Sequence, residues 1–231
     1  MLGAIAIVPS APVLVPELAG AAAAEVADLT AAVLAAAALL PPRWVAVGAG
    51  PADQVLGPDS GGTFAGFGVD VRVRLSPRAH GGAESPVEFP VCALLTAWVR
   101  GQARPEASAQ VRVYRGDGDA DAALARGRQL RAELDRAPDP IGVLIVADGA
   151  NTLTPAAPGG YHPGDAAAQL ALDDALANGD AAALAQLPPQ ILGRVAFQVL
   201  AGLTEPGPRS AKELYRGAPY GVGYFVGAWQ P

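Results

Sequence analysis

The 231-residue chain has a formal net charge of −6, 51% hydrophobic residues, a single lysine at Lys212 and a single cysteine at Cys92. No intrachain disulfide can form, and a phosphate backbone would be repelled, so disulfide scaffolds and nucleic-acid partners are excluded. The length fits one large domain or two small ones and is enough to bury a core without staples.

Leu2–Val8 is an apolar run ended by Pro9 and predicts a buried strand; no basic residue precedes it, which argues against a signal peptide. Glu17–Leu40 is alanine-rich, framed by Pro16 and Pro41, and predicts one helix. It is long enough to span a bilayer, but Glu25 and Asp28 make it a soluble helix, so no membrane partner is expected. Arg43–Gly48 predicts a second strand, and Ala49–Gly68, rich in Gly, Pro and Asp, a loop. Val69–Leu75 alternates and predicts a strand with one wet face. Ser76–Pro86 is a loop containing His80, Pro90–Gln102 a helix and Gln110–Tyr114 a strand. Asp119–Arg136 predicts a helix capped by Asp119. Ile141–Ala147 is the most hydrophobic strand, consistent with burial on both faces.

Asp148–Pro163 is a long loop, followed by a helix over Asp165–Asn178 stopped by Gly179, and a short helix capped by Asp180. Gln190–Leu203 predicts an amphipathic helix with Ile191, Leu192, Val195, Val199, Leu200 and Leu203 on one stripe. Lys212–Tyr215 and Val222–Trp229 predict an antiparallel pair. Alternating strands and helices with no visible linker predict a single α/β domain over 1–231. The expected architecture is a three-layer α/β/α sandwich around a mixed, mostly parallel sheet. The site of such a fold lies beyond the carboxyl ends of its strands. Here those ends are Pro9-Ser10, Gly48–Asp53, the His80 loop and Asp148–His162.

Gly48-Ala49-Gly50 follows a strand, but Asp53 stands where a dinucleotide fingerprint needs its third glycine and no helix follows. Cys92 sits in an apolar helix and is expected to be buried and inert. His80 and His162 are the only histidines, so a metal site would need carboxylates as well. Ser10 lies on the correct edge but not in a G-x-S-x-G elbow. The richest segment is Ala147-Asp148-Gly149-Ala150-Asn151-Thr152. There Asp148 and Asn151 are either site residues or a turn that satisfies nearby amides. The aromatics Tyr215, Tyr220, Tyr224, Phe225 and Trp229 read as core packing, with a pocket wall or subunit contact as the alternative.

Several segments in order resemble the subunit-B superfamily of class III extradiol ring-cleavage dioxygenases (LigB-like), in particular a divergent, alanine-rich bacterial branch. The carriers are AIAIVPSAPVLVPEL, WVAVGAGP, VLIVADGANTLTPAAPGGYHP, FQVLAGL and APYGVGYFVGAW. The resemblance implies the sandwich fold and a non-haem iron(II) centre held by two histidines and a glutamate, with a further histidine as acid/base. This chain departs from that pattern. Ser10 matches the first histidine, Asp53 is the only ligand type in the second turn, and D-G-A-N-T replaces the turn of the catalytic histidine. His80-Gly81 corresponds to a substrate-side D-H-G element with Ala79 in place of Asp. A neutral hydroxyl is a poor ligand for ferrous iron.

The expectation is therefore a cytoplasmic protein without a cofactor, a ligand-binding or scaffold member that keeps a small-molecule cleft lined by Ser10, Asp53, His80, Asn151 and Tyr161, and that is open to homo-oligomer formation. The alternative is a divergent enzyme. It would be either a dioxygenase-like metalloprotein holding iron(II) or another divalent metal through Asp53, Asp148 and His162, or a hydrolase with Asp148 and His162 as catalytic residues.

Overall fold

The structure, a computed structural model, describes residues 1–79 and 88–231. In chain order the elements are β1 (Leu2–Val8), α1 (Pro16–Ala19), α2 (Ala27–Ala38), β2 (Arg43–Gly50), β3 (Gln54–Leu56), β4 (Gly61–Thr63), β5 (Arg72–Arg74) and α3 (Val91–Ala103). They continue with β6 (Ser108–Arg115), α4 (Ala120–Asp135), β7 (Ile141–Val146), α5 (Asp165–Asn178), α6 (Ala181–Ala185), α7 (Arg194–Thr204), β8 (Ser210–Gly217) and β9 (Tyr224–Gln230). Seven strands form one sheet in the order β3-β6-β2-β7-β1-β9-β8. The four central strands, β6, β2, β7 and β1, run parallel; β3 and β9 pair antiparallel to their neighbours, and β8 antiparallel to β9.

The continuous apolar runs follow from burial on both faces. Ala6, Val8, Ala46, Leu144 and Val146 pack toward α2 and α3, while Ile5, Ile7, Val45, Val143 and Ile145 pack toward α4 to α7. The chain is thus a three-layer α/β/α sandwich around a mixed, mostly parallel sheet. On the second face α4 and α7 cross so closely that a Cβ at Gly127 would strike the Val199 carbonyl oxygen, and one at Gly202 that of Leu124. Among the described residues no helix is long and apolar enough to cross a membrane.

Local chemistry explains most boundaries. Asp119 caps α4 by accepting from the backbone amides of Asp121 and Ala122, and Asp180 caps α6 through Ala183. Gly179 ends α5 in the left-handed region at φ 70°. Cys92 is buried, and desolvation pushes its thiol up to about 12, so it is inert. Gly48 is a packing residue: a Cβ there would collide with Cys92, so its absence lets α3 settle on β2.

Four expectations need correction. The helix predicted over Glu17–Leu40 is broken into α1, a 3-10 turn at Gly20–Ala24 and α2, because Gly20 takes φ 55°. The segment read as one loop over Ala49–Gly68 contains β3, β4 and a 3-10 turn at Phe64–Phe67. The alternating segment Val69–Leu75 keeps its pattern, with Val73 buried between exposed Arg72 and Arg74, but pairs only with β4 in a separate two-stranded sheet. The last helix begins at Arg194 rather than Gln190, which leaves Leu192 outside it and 48% exposed.

Candidate functional site

Parallel strands β1 and β7 are neighbours, so the turns that follow them emerge side by side at the carboxyl edge. The ladder runs one step further, with the Ala147 amide donating to the Val8 carbonyl at 3.0 Å. Ser10 and Asp148 therefore meet, and the Ser10 backbone amide donates to Asp148 Oδ1 at 2.7 Å. Among the described residues that is the hydrogen bond the Asp148 side chain receives, and no cation pairs with it. Burial penalises the charged form and raises Asp148 to about 7, against the pull of the Ser10 amide.

The backbone around Asp148 is pinned on several sides. Its carbonyl accepts from Gly193 at 2.8 Å, and that of Gly149 from Leu192 at 3.2 Å. Gly149 donates to the Gly223 carbonyl and Gly223 to the Ala150 carbonyl, both at 2.8 Å. The Ala150 amide donates to Gln169 Oε1 on α5 at 2.8 Å. Gln169 Nε2 in turn donates to Asp173 at 2.8 Å, and both side chains are buried. Desolvation raises Asp173 to about 6, opposed by the Gln169 hydrogen bond and the Arg216 charge.

Tyr224, the first residue of β9, completes this corner. Burial, then the nearby Asp148, Tyr215 and Tyr220 groups, hold its phenol protonated well above the usual range. Tyr220 has φ 60°, the left-handed conformation that a bulky side chain seldom adopts, and its hydroxyl donates to Glu25 at 2.8 Å. The loop between β8 and β9 is thereby tied to the segment before α2. The sequence reads Tyr224 and Tyr220 as hairpin packing, with a pocket wall or subunit contact as the alternative. Gln169, Asp173 and Glu25 gave no sequence signal, since each reads as a polar residue on a helical face.

The other predicted residues among those described make contacts of their own. Asp53 is exposed and committed to cations: Oδ1 accepts from the Arg115 amide at 2.8 Å and Oδ2 from Arg126 at 2.5 Å. Asn151 organises its own loop, accepting the Gly159 amide on its carbonyl at 2.9 Å. His162 is exposed, and its backbone donates to the Thr152 carbonyl at 3.0 Å. Tyr161 is half exposed at 50%. His80 lies outside the described residues. No hydrogen bond or ion pair links His162 to Asp148 among the described residues. No three His, Cys, Asp or Glu side chains among the described residues converge to hold a metal ion. Asp53, Asp148 and His162 are not gathered into such a group. Phe225 and Trp229 are buried within the chain.

A groove of about 360 Å³ opens at the opposite, amino edge, lined among others by Arg43, Trp44, Ser108, Arg112 and Glu133. Its charges are largely spent on each other, with Arg112 paired to Glu133 at 2.5 Å. The carboxyl edge is the stronger candidate, because there a partly buried carboxyl lacks a counter-charge among the described residues.

Fold and site together define an α/β/α sandwich with an isolated acid at the carboxyl edge between β1, β7 and β9. No family model and no curated protein matches the chain. It is similar in fold to an uncharacterized protein of Escherichia coli K12, JW3007, whose crystal structure superposes with a TM-score of 0.55 at 10% identity. That likeness covers 99% of this chain and 100% of the other, and it speaks to the fold alone.

Proposed function

We propose that this chain is a LigB-like protein in which a proton-carrying polar site stands where the iron centre of that superfamily would be, and that it binds a small, uncharged, hydroxylated aromatic compound. The observation that carries this reading is Asp148, partly buried, bonded to the Ser10 amide and, among the described residues, unpaired with any cation. In support, the resemblance puts Ser10 at the first histidine and Asp148 in the turn of the catalytic histidine, and these two residues are in direct contact. A hydroxyl group suits the corner chemically. It can donate to the Asp148 carboxylate and accept from the Tyr224 phenol, beside the rings of Tyr215 and Tyr220. An anion would be opposed by Asp148 and Glu25. With Asp148 near neutral, the same corner can give or take one proton at a bound hydroxyl.

The test uses catechol as the probe. Calorimetric titration of chelator-treated protein at neutral pH is expected to show saturable binding, weakened at least about 10-fold in Asp148→Ala, the loss of roughly 1.4 kcal/mol. Absence of binding, or equal affinity in the variant, refutes the reading. Binding that appears only after iron(II) is added transfers support to the metal-dependent alternative.

A further inference from the structure

We propose that Gln169 is a positioning residue for Asp148: wedged where the turn after β7 meets the lead-in to β9, its amide holds both backbones in the one arrangement that keeps Asp148 Oδ1 on the Ser10 amide. The inference rests on the assignment of Asp148 as the working group of the site, and it is tested without any ligand.

Space argues first. A Cβ at Gly149 and one at Gly223 would each collide with the Gln169 carboxamide. Two glycines, 74 positions apart, thus leave room for the same side chain from a third element. Hydrogen bonding argues second. Ala150 offers an N–H and so requires the amide oxygen, whereas Asp173 offers an acceptor and so requires the amide nitrogen. The flip of the amide is fixed by its two partners. The Gly149 amide donates to the Gly223 carbonyl and the Gly223 amide to the Ala150 carbonyl, so the backbone next to Asp148 is tied to the lead-in to β9 at the residues this amide touches. Asp173 is held among Arg216 and Glu213 of β8 and Asp174 of its own helix. A helix that merely covered the sheet would place an apolar side chain here. A buried amide with both ends engaged costs desolvation and specifies a single geometry.

The experiment inverts the polarity of the pair. Gln169→Glu alone faces an acceptor with an acceptor at Asp173. The double variant Gln169→Glu with Asp173→Asn restores a donor from residue 173 while leaving an oxygen for Ala150, at unchanged net charge. The readouts are the amide proton shift and hydrogen-exchange rate of Ser10 in NMR spectra of the ligand-free chain, with Ala46 in the middle of β2 reporting global stability. Gln169→Ala and Gln169→Glu are expected to move the Ser10 amide upfield and speed its exchange at least 10-fold, with Ala46 little changed, and the double variant is expected to reverse both effects. A wild-type Ser10 amide in a folded Gln169→Ala overturns the proposal. If Gln169→Ala does not fold, the polarity swap decides, and failure of the double variant to restore Ser10, by unfolding or with the amide still free, overturns it. Loss of catechol binding with an intact Ser10 response would count against the ligand reading and leave the positioning role standing.

Discussion

Asp53 and Asp148 both follow parallel strands of one sheet, and their surroundings treat the same carboxyl in opposite ways. Asp53 stands in solvent with its charge met by Arg126, which also lies 4.7 Å from the centre of the Tyr114 ring, and by the Arg115 amide. Asp148 is largely withdrawn from water beside Tyr224, with one amide and, among the described residues, no cation. An exposed ion pair contributes little to stability and little chemistry, while an isolated carboxyl is costly to keep charged and is held ready to exchange a proton. Topological position alone does not make a site; desolvation without a counter-charge does.

The largest difference between the two turns should come from backbone neighbours. Gly149→Val, whose Cβ enters the Gln169 amide, is expected to destabilise by about 3 kcal/mol or more, whereas Ala52→Val in the exposed Asp53 turn should stay within about 0.5 kcal/mol. Urea unfolding of both variants measures this directly.

Next comes the charge itself. Asp148 is protonated in the folded chain up to about pH 7, whereas the unfolded chain ionises near 3.8. Its contribution is therefore full below about pH 4 and is lost as pH rises through about 7. Asp148→Asn should then raise stability by about 2–4 kcal/mol at pH 8, an advantage that disappears by pH 4. Thermal melts across that range show the crossover, and a variant less stable than wild type at pH 8 would break the contrast. The smallest effect is expected at Asp53. Asp53→Asn should cost about 1 kcal/mol or less, and less still at high salt, as judged by the melting temperature at two salt concentrations.

Much of the fold was legible because strands buried on both faces read as unbroken apolar runs, and because Pro16, Pro41, Asp119 and Gly179 mark helix ends. The short elements were not. Strands β3 and β4 have three residues each, too few for a period to show, and Gly20 breaks a helix whose alanines give no sign of a kink. Half of the site followed from topology, which places Ser10 and Asp148 at one edge. Its other half is made by contacts between distant segments, such as Tyr220 with Glu25 across 195 positions and Gln169 with Ala150. Polar residues on a helix read as solvated, and only the packed chain shows that Gln169 and Asp173 face inward. Asp53 and His162 stand out in the sequence as side-chain types, whereas the arginine beside one and the solvent around the other are features of the packed chain.

Whether Asp148 carries a proton near neutrality is the central question for this site. A pH titration of its side-chain carboxyl carbon by NMR, assigned through Asp148→Asn, measures this most directly. A midpoint near 7 that moves when catechol is added is the expected result. A midpoint in the ordinary aspartate range near 4, unmoved by catechol, would contradict it.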